Sequence, residues 1–317
     1  MIFFDQKTIS KIKKMSVNKY FYLGKNILFP INRSITGKGV RDTLKIIKNE
    51  FPILNIKKIK SGSKVYDWVI PPEWNVNTAY VKDKSKKKII DFKNNNLHLM
   101  GYSRPVNKIL NKDQLLKRIY TLKKQPNAIP YVTSYYKKNW AFCTTHKNKN
   151  FIKKNYKKND SFHILIKSKF KNDGYLNYGE LVIPGASKKE ILISTYICHP
   201  SMANNELSGP IVSMSLIDYF KKKKNKYSLR FIFIPETIGS IAYINKNFLT
   251  LKEKIIGGFN LSCIGDEKKY SCMLTKNENS VSDKCLLRAF KKLKINFKKF
   301  SFLKRGSDER QYNSPGV

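Results

Sequence analysis

Residues 194–209 read STYICHPSMANNELSG, a polar loop containing His199 between two apolar segments. The run 190–195 before it is apolar enough for a buried strand, and the run 209–216 after it predicts a helix. A strand, a loop and a helix therefore follow one another along the chain. In open α/β sheets, functional residues lie in such loops at the carboxyl ends of strands.

A second strand of this kind is predicted at 229–234, where it leads into Pro235 and Glu236. The apolar run 163–166 predicts another central strand. Strands that alternate with helices are typical of an α/β protein. We therefore predict an α/β fold with a mixed, largely parallel sheet flanked by helices.

The chain before 160 has a different pattern. Apolar residues at three- and four-residue steps predict one amphipathic helix, with Ser34 as its candidate cap: Val40, Leu44, Ile47 and Phe51. Short aromatic strands and tight turns predominate from 61 to 135, which predicts an inserted small β-rich domain. The predicted organisation is an N-terminal part at 20–60, the insert at 61–135 and the main part at 136–317.

The composition is that of a chain with a sizeable core. Hydrophobic residues make up 41% of the 317 positions, and aromatic residues make up 13%. No apolar run approaches the roughly 20 residues that cross a bilayer, and the first residues lack the pattern of a secretory signal. The five cysteines form no CxxC pair, which favours reduced thiols. We expect a cytoplasmic protein without a membrane span.

The net charge of +41 raises the question of nucleic acid, since clustered basic residues bind phosphate backbones. The basic residues are 55 Lys and 8 Arg, and the lysines are spread along the chain with many Asn and Ile. Arginine is the residue that makes bidentate contacts with phosphates and base edges, and no recognition motif is present. Nucleic acid is therefore not the expected partner.

His199 and Glu236 follow two neighbouring predicted strands, so we expect their side chains to lie within reach of a common ion. Imidazole and carboxylate groups both suit Zn²⁺. Polar segments at 260–267 and 305–312 offer further candidate ligands. The spacing equally fits a structural role, in which His199 bonds the loop backbone and Glu236 caps a turn. Because neighbours on a strand point to opposite faces, Cys198 is interpreted as a buried structural thiol.

Several motifs occur together in one order: 68–74, 96–98, 102–106, 129–136, 199–209, 236–240 and 306–316. With these motifs the chain resembles, from about residue 25 onward, a bacterial aminopeptidase-like family that is often associated with surface-polysaccharide biosynthesis clusters. That family is similar to the di-zinc exopeptidases and carries an inserted small domain. The resemblance implies a zinc exopeptidase fold and a site for one or two zinc ions.

The resemblance also implies roles for individual residues. His199 matches the first metal-binding histidine, and Glu236 matches the general base. Asn205 stands where the exopeptidases have a bridging aspartate, and the adjacent Glu206 is a candidate substitute. Asp266 is a further candidate metal ligand.

Substrate binding is implied for the motif near the C-terminus. Asp308 matches an aspartate that lies near the substrate, and Arg310 belongs to the same motif. Thr237 departs from the family pattern, because a second glutamate that binds metal is expected at its position.

The family continues beyond the Ser-Pro-Gly of 314–316 into another core strand and a last metal-binding histidine. This chain stops at Val317, so we expect it to be truncated. A sheet that lacks one strand exposes unpaired backbone groups, so we expect the chain to be marginally stable, aggregation-prone and catalytically inert.

The resemblance implies one function and leaves open an alternative from a different class. The first is a zinc-dependent aminopeptidase-like hydrolase, in which Glu236 deprotonates a zinc-bound water that attacks the carbonyl of a peptide-like or amide-bearing small substrate. The second is a non-catalytic binding or assembly protein of surface-polysaccharide biosynthesis. Zinc with turnover favours the first function, and saccharide binding without metal favours the second.

Overall fold

A computed structural model describes residues 18–303 and 306–314. The strands are β1 Asn55–Lys60, β2 Lys64–Val65, β3 Trp68–Val69, β4 Glu73–Lys82, β5 Lys88–Asp91, β6 Val106–Asn111, β7 Ile119–Tyr120, β8 Phe142–Cys143, β9 Ser161–Lys171, β10 Tyr175–Ile183, β11 Ser187–Tyr196, β12 Tyr227–Ile234, β13 Ile255–Asn260, β14 Tyr270–Met273 and β15 Phe297–Phe300. Residues 18–23 are helical. The α-helices that follow are α1 Lys38–Glu50, α2 Lys112–Leu116, α3 His146–Asn155, α4 Ser208–Phe220, α5 Ile238–Lys254, α6 Val281–Lys292 and α7 Glu309–Tyr312. Gly24–Leu28 and Ala203–Leu207 are π-helical, and Asn96–His98 is a 3₁₀ turn.

The largest sheet has five strands in the order β1-β10-β12-β11-β13. β11 pairs in parallel with both β12 and β13, whereas β10 pairs antiparallel with β1 and β12. The predicted mixed sheet flanked by helices is confirmed, and two of its four pairings are parallel. The strands predicted at 190–195 and 229–234 are the neighbours β11 and β12.

A second sheet, in the order β5-β4-β9-β6, contains the run 163–166. The assignment of this run to the central sheet is therefore wrong. Burial along β9 alternates, with Phe162, Ile164 and Ile166 buried and Lys167 exposed, as expected for a strand with one solvated face. This sheet extends to Lys171, and a domain division at 61 and 135 stays a prediction.

Helix α1 begins after Gly37, whose φ of 123° lies outside the range that other residues readily adopt. Its first backbone N–H, at Lys38, donates to Asn75 Oδ1 of β4 at 2.8 Å. Ser34 instead donates to the Thr36 carbonyl, so the prediction that it caps the helix is wrong. The helix end is satisfied by a residue distant in sequence, which local patterns do not reveal.

The five-stranded sheet is buried on both faces, as the alternation along β12 shows. Phe231 and Phe233 belong to an apolar cluster that includes Leu44 of α1 and Met214 of α4. Residues 232 and 234 belong to a second cluster, which includes apolar residues of α5 and of the second sheet. This packing fixes the carboxyl ends of β11 and β12, where the candidate site lies.

In the part of the chain that the structure describes, no helix combines the length and apolar character that a membrane span requires.

Candidate active site

The candidate site forms where two parallel neighbours end at the same edge of the sheet. Tyr196 of β11 is in register with Ile234 of β12, and the Ile197 N–H donates to the Ile234 carbonyl at 2.9 Å. The loops that follow carry His199 and Glu236. Parallel pairing with this register brings the two loops side by side.

His199 lies between two carboxylates and is only 5% exposed. Its Nδ1 is 2.7 Å from Glu206 Oε2, and its Nε2 is 3.2 Å from Glu236 Oε2. Burial lowers the pKa of His199, but the two carboxylates outweigh burial and raise it to about 10. The expected proximity of His199 and Glu236 is confirmed.

Aromatic rings enclose the imidazole. The rings of Tyr131 and Tyr196 meet it edge to face, with centroid distances of 4.9 and 5.1 Å. The hydroxyl of Tyr131 is 3.2 Å from that of Tyr135. Tyr131 lies in the predicted insert, and its contact with the site was not foreseen because only the motif 129–136, without a role, marked it.

Glu236 is held at its side chain and its backbone. The Ser307 hydroxyl donates to Glu236 Oε1, and the Glu236 N–H donates to Cys198 Sγ at 3.2 Å. Burial raises the pKa of Glu236, but His199 outweighs burial, so that the pKa lies below its usual value. Glu236 is therefore ionised at neutral pH, the form in which a carboxylate accepts a proton.

Asp308 supports the turn that follows Glu236. Thr237 has a φ of 61°, and its N–H donates to Asp308 Oδ1 at 2.6 Å. The Ser240 hydroxyl donates to the same oxygen at 3.0 Å. Asp308 is fully buried, and this burial raises its pKa to about 7. The structure thus places Asp308 against the turn that follows the candidate base.

Three side chains offer ligand atoms that lie within 4.8 Å of one another, namely Cys198, His199 and Glu206. A thiolate, an imidazole and a carboxylate form a donor set that suits one zinc ion. The alternation argument does not apply to Cys198, because β11 ends at Tyr196. Cys198 is nevertheless buried, as expected.

Of the other predicted metal ligands, Asp266 does not join this group, whereas the role of Asn205 stays a prediction. Asn205 Nδ2 contacts Cys263 Sγ at 3.6 Å. Asp266 is exposed, and its carboxylate accepts from Asn204 Nδ2 and the Lys268 N–H, each at 3.0 Å. Within 18–303 and 306–314, Cys198, His199 and Glu206 are the one group of three His, Cys, Asp or Glu side chains with this spacing, which fits one ion.

Arg310 is exposed, and its Nη2 donates to the carbonyls of Phe302 and Leu303 at 3.0 and 2.9 Å. Its predicted contact with substrate stays a prediction. Residues 304–305 and 315–317, which include part of the same motif, lie outside the described residues.

Arg33 is a member of the site that spacing did not indicate. It is 1% exposed, and its Nε donates to the His199 carbonyl at 3.0 Å and lies 3.5 Å from Glu206 Oε1. Its position is 166 residues before His199. The feature of the sequence that could have indicated Arg33 is its residue type, since only 8 of the 63 basic residues are arginine.

The family described as "Domain of unknown function (DUF4910)" matches residues 22–317, nearly the whole chain. The chain belongs to this family. It is 43% identical over 290 residues to a Clostridium acetobutylicum protein named as a candidate polysaccharide biosynthesis protein with an aminopeptidase-like domain. That match covers 92% of the chain and 65% of the relative, so the chain spans just under two thirds of the relative's length.

Solved structures place the family among aminopeptidase-like folds. The crystal structure of a candidate peptidase from Clostridium acetobutylicum is 40% identical with a TM-score of 0.91, and the match covers 98% of the chain and 72% of that protein. A zinc aminopeptidase from Bacillus subtilis shares the fold at 11% identity and a TM-score of 0.62, covering 90% and 78%. The aminopeptidase-like family and fold expected from the motifs are confirmed.

Proposed function

We propose that the chain is a zinc-dependent hydrolase of peptide or amide bonds. The observation that supports this most directly is the position of His199, with Glu206 at 2.7 Å from Nδ1 and Glu236 at 3.2 Å from Nε2. A candidate base thus lies next to a candidate metal ligand, at the edge of the sheet where α/β enzymes have their sites.

Cys198, His199 and Glu206 are the residues that would hold the ion. When bound, zinc supplies a Lewis acid that polarises a carbonyl and makes a bound water more acidic. Glu236 Oε2 is the atom that accepts a proton, and the Ser307 hydroxyl fixes the other oxygen of the same carboxylate. Tyr131 and Tyr196 restrict the access of bulk water to the imidazole.

The substrate class that we propose is a peptide-like or amide-bearing small molecule. The name of the Clostridium acetobutylicum relative connects it with polysaccharide biosynthesis, which makes amide groups on sugars a rational first choice. A cytoplasmic location and a small-molecule partner rather than nucleic acid belong to the same proposal, and they rest on sequence patterns.

The test combines metal analysis with one substitution. Purified protein is loaded with zinc, dialysed and assayed by elemental analysis and with panels of aminoacyl anilides and N-acyl amino sugars. We expect about one equivalent of zinc and turnover of at least one panel member. Glu236→Gln should keep the zinc and lower kcat by about 10²- to 10⁴-fold, since only the base is removed.

Glu278→Gln, which changes an exposed glutamate remote from the site, is the matched control and should retain full activity. Protein that holds no zinc, or a Glu236→Gln variant as active as the parent, would contradict the proposal.

One observation favours a second function. Asp266 is exposed and accepts from Asn204 and Lys268 instead of joining His199, so the set of ligands that the resemblance implied for two ions is incomplete among the described residues. A non-catalytic binding or assembly protein of polysaccharide biosynthesis needs no such set. Saccharide binding that is unchanged by chelators, together with no turnover across both panels, would establish this alternative.

A further inference from the structure

Arg33 connects His199 and Glu206 of the site with Leu28 from a loop that precedes α1. Its Nη1 donates to the Leu28 carbonyl at 2.5 Å, and its Nε donates to the His199 carbonyl at 3.0 Å. The same Nε is 3.5 Å from Glu206 Oε1, and neither side chain of this ion pair has measurable exposure. The guanidinium is thus fixed by two carbonyls and faces a buried carboxylate.

Glu206 depends on this guanidinium for charge compensation at one of its oxygens. Oε2 is bound by His199, but Oε1 is buried without a hydrogen-bond partner among the described residues. Burial lowers the pKa of Arg33 from its usual value while Glu206 raises it, and arginine keeps its charge in folded proteins. A buried carboxylate without a neighbouring cation is strongly unfavourable.

We propose that Arg33 is a positioning residue of the metal site, where its guanidinium orients Glu206 and takes the place that a second metal ion would have in balancing charge. This inference rests on the proposed function, because it assumes that Cys198, His199 and Glu206 hold one ion.

The charges of the group support a single ion. With zinc bound, His199 neutral and Cys198 a thiolate, one divalent cation and one guanidinium balance this thiolate and the carboxylates of Glu206 and Glu236. A second divalent cation would leave two uncompensated positive charges in a site that is largely buried, which is costly in a low-dielectric environment. Arg33 thus accounts for a site with one ion, in agreement with the exposed position of Asp266.

Arg33→Met tests the charge, because methionine retains much of the side-chain volume and removes the guanidinium. We expect metal-free Arg33→Met to melt about 10 °C below the parent. Zinc should raise the Tm of the variant by more than it raises that of the parent, since the ion then supplies all of the positive charge. Arg33→Lys should restore most of the loss and show a zinc effect of the parental size.

Arg41→Met is the matched control. Arg41 forms a bidentate pair with Glu73 at 2.7 and 2.6 Å, away from His199. Its substitution should lower the Tm equally with and without zinc. If Arg33→Met also lowers the Tm equally in both states, Arg33 has only a structural role and the inference fails alone. If the parent binds no zinc, the proposed function fails together with the inference.

A double variant tests the same point without metal. Glu206→Gln removes the charge that Arg33 compensates, so metal-free Arg33→Met/Glu206→Gln should melt above Arg33→Met. A double variant that melts at or below the single variant would overturn the charge-balancing role, whatever the zinc experiments show.

Discussion

At the scale of single residues, the protonation of Asp308 is the property with the clearest consequence. Burial raises its pKa from 3.8 to about 7. Between about pH 4 and 7 the folded state therefore keeps a proton that the unfolded state has released, and stability falls as pH rises through this window. We expect Asp308→Asn to remove this dependence, because the amide oxygen still accepts from the Thr237 N–H and the Ser240 hydroxyl. The stability of the variant relative to that of the parent should increase by about 2–4 kcal/mol between pH 4.5 and pH 8.

Urea unfolding at pH values from 4.5 to 8 measures this difference. Subtracting the free energy of unfolding of the variant from that of the parent removes the contributions of all other titrating groups. Asp266→Asn, at an exposed carboxylate, is the control and should run parallel to the parent. If the Asp308→Asn curve also runs parallel, Asp308 does not titrate in this window.

At the scale of secondary-structure elements, one arginine joins the three inner strands of the five-stranded sheet. Arg230 of β12 donates from Nε and Nη2 to Glu190 of β11 at 2.5 and 3.0 Å, and from Nη1 to Glu180 of β10. The Tyr243 hydroxyl of α5 donates to Glu180 at 2.7 Å. Arg230→Met leaves the buried Glu190 without a cation, whereas Glu180 retains its ion pair with Lys57, so we expect a loss of about 3–5 kcal/mol in the free energy of unfolding.

Urea unfolding at pH 7 checks this value. Lys299→Met serves for comparison, because Lys299 and Glu278 form an ion pair with about half of each side chain exposed. Such a pair contributes at most about 1 kcal/mol. A loss at Arg230 as small as that at Lys299 would mean that the carboxylates take up protons or other partners when the arginine is removed.

At the scale of the whole molecule, the net charge of +41 opposes the compact state. Like charges repel over distances comparable with the Debye length, which is about 30 Å at 0.01 M salt and 3 Å at 1 M. We therefore expect the Tm to rise by several degrees between about 20 and 500 mM NaCl. Differential scanning calorimetry at each NaCl concentration measures the Tm directly.

Lys222→Glu/Lys224→Glu changes two exposed lysines that follow α4. It lowers the net charge by four, so it should raise the Tm at low salt and reduce the rise caused by NaCl. A Tm that falls with salt in the parent would show that local ion pairs such as that of Arg230 outweigh the overall repulsion.

Two of the five strands of the largest sheet, and the helix between them, were predictable from residue spacing. β11, β12 and α4 follow from apolar runs of the right length, because a strand buried on both faces and the helix beside it leave a local signal. The prediction that 163–166 belongs to the central sheet was wrong because such a short run fits a central strand as well as a strand with one exposed face. Only the longer alternation to Lys167 distinguishes them.

The sequence by itself determined the family, the sheet edge and the pair His199 and Glu236, because motifs and strand ends are local in the chain. Tertiary structure alone decided which side chains join them. Arg33 and Tyr131 come from far earlier in the chain, Cys198 turns toward the group after β11 ends, and Asp266 remains on an exposed loop. Side-chain direction in loops and the pairing of buried charges depend on packing between distant segments, and no periodicity within one segment records them.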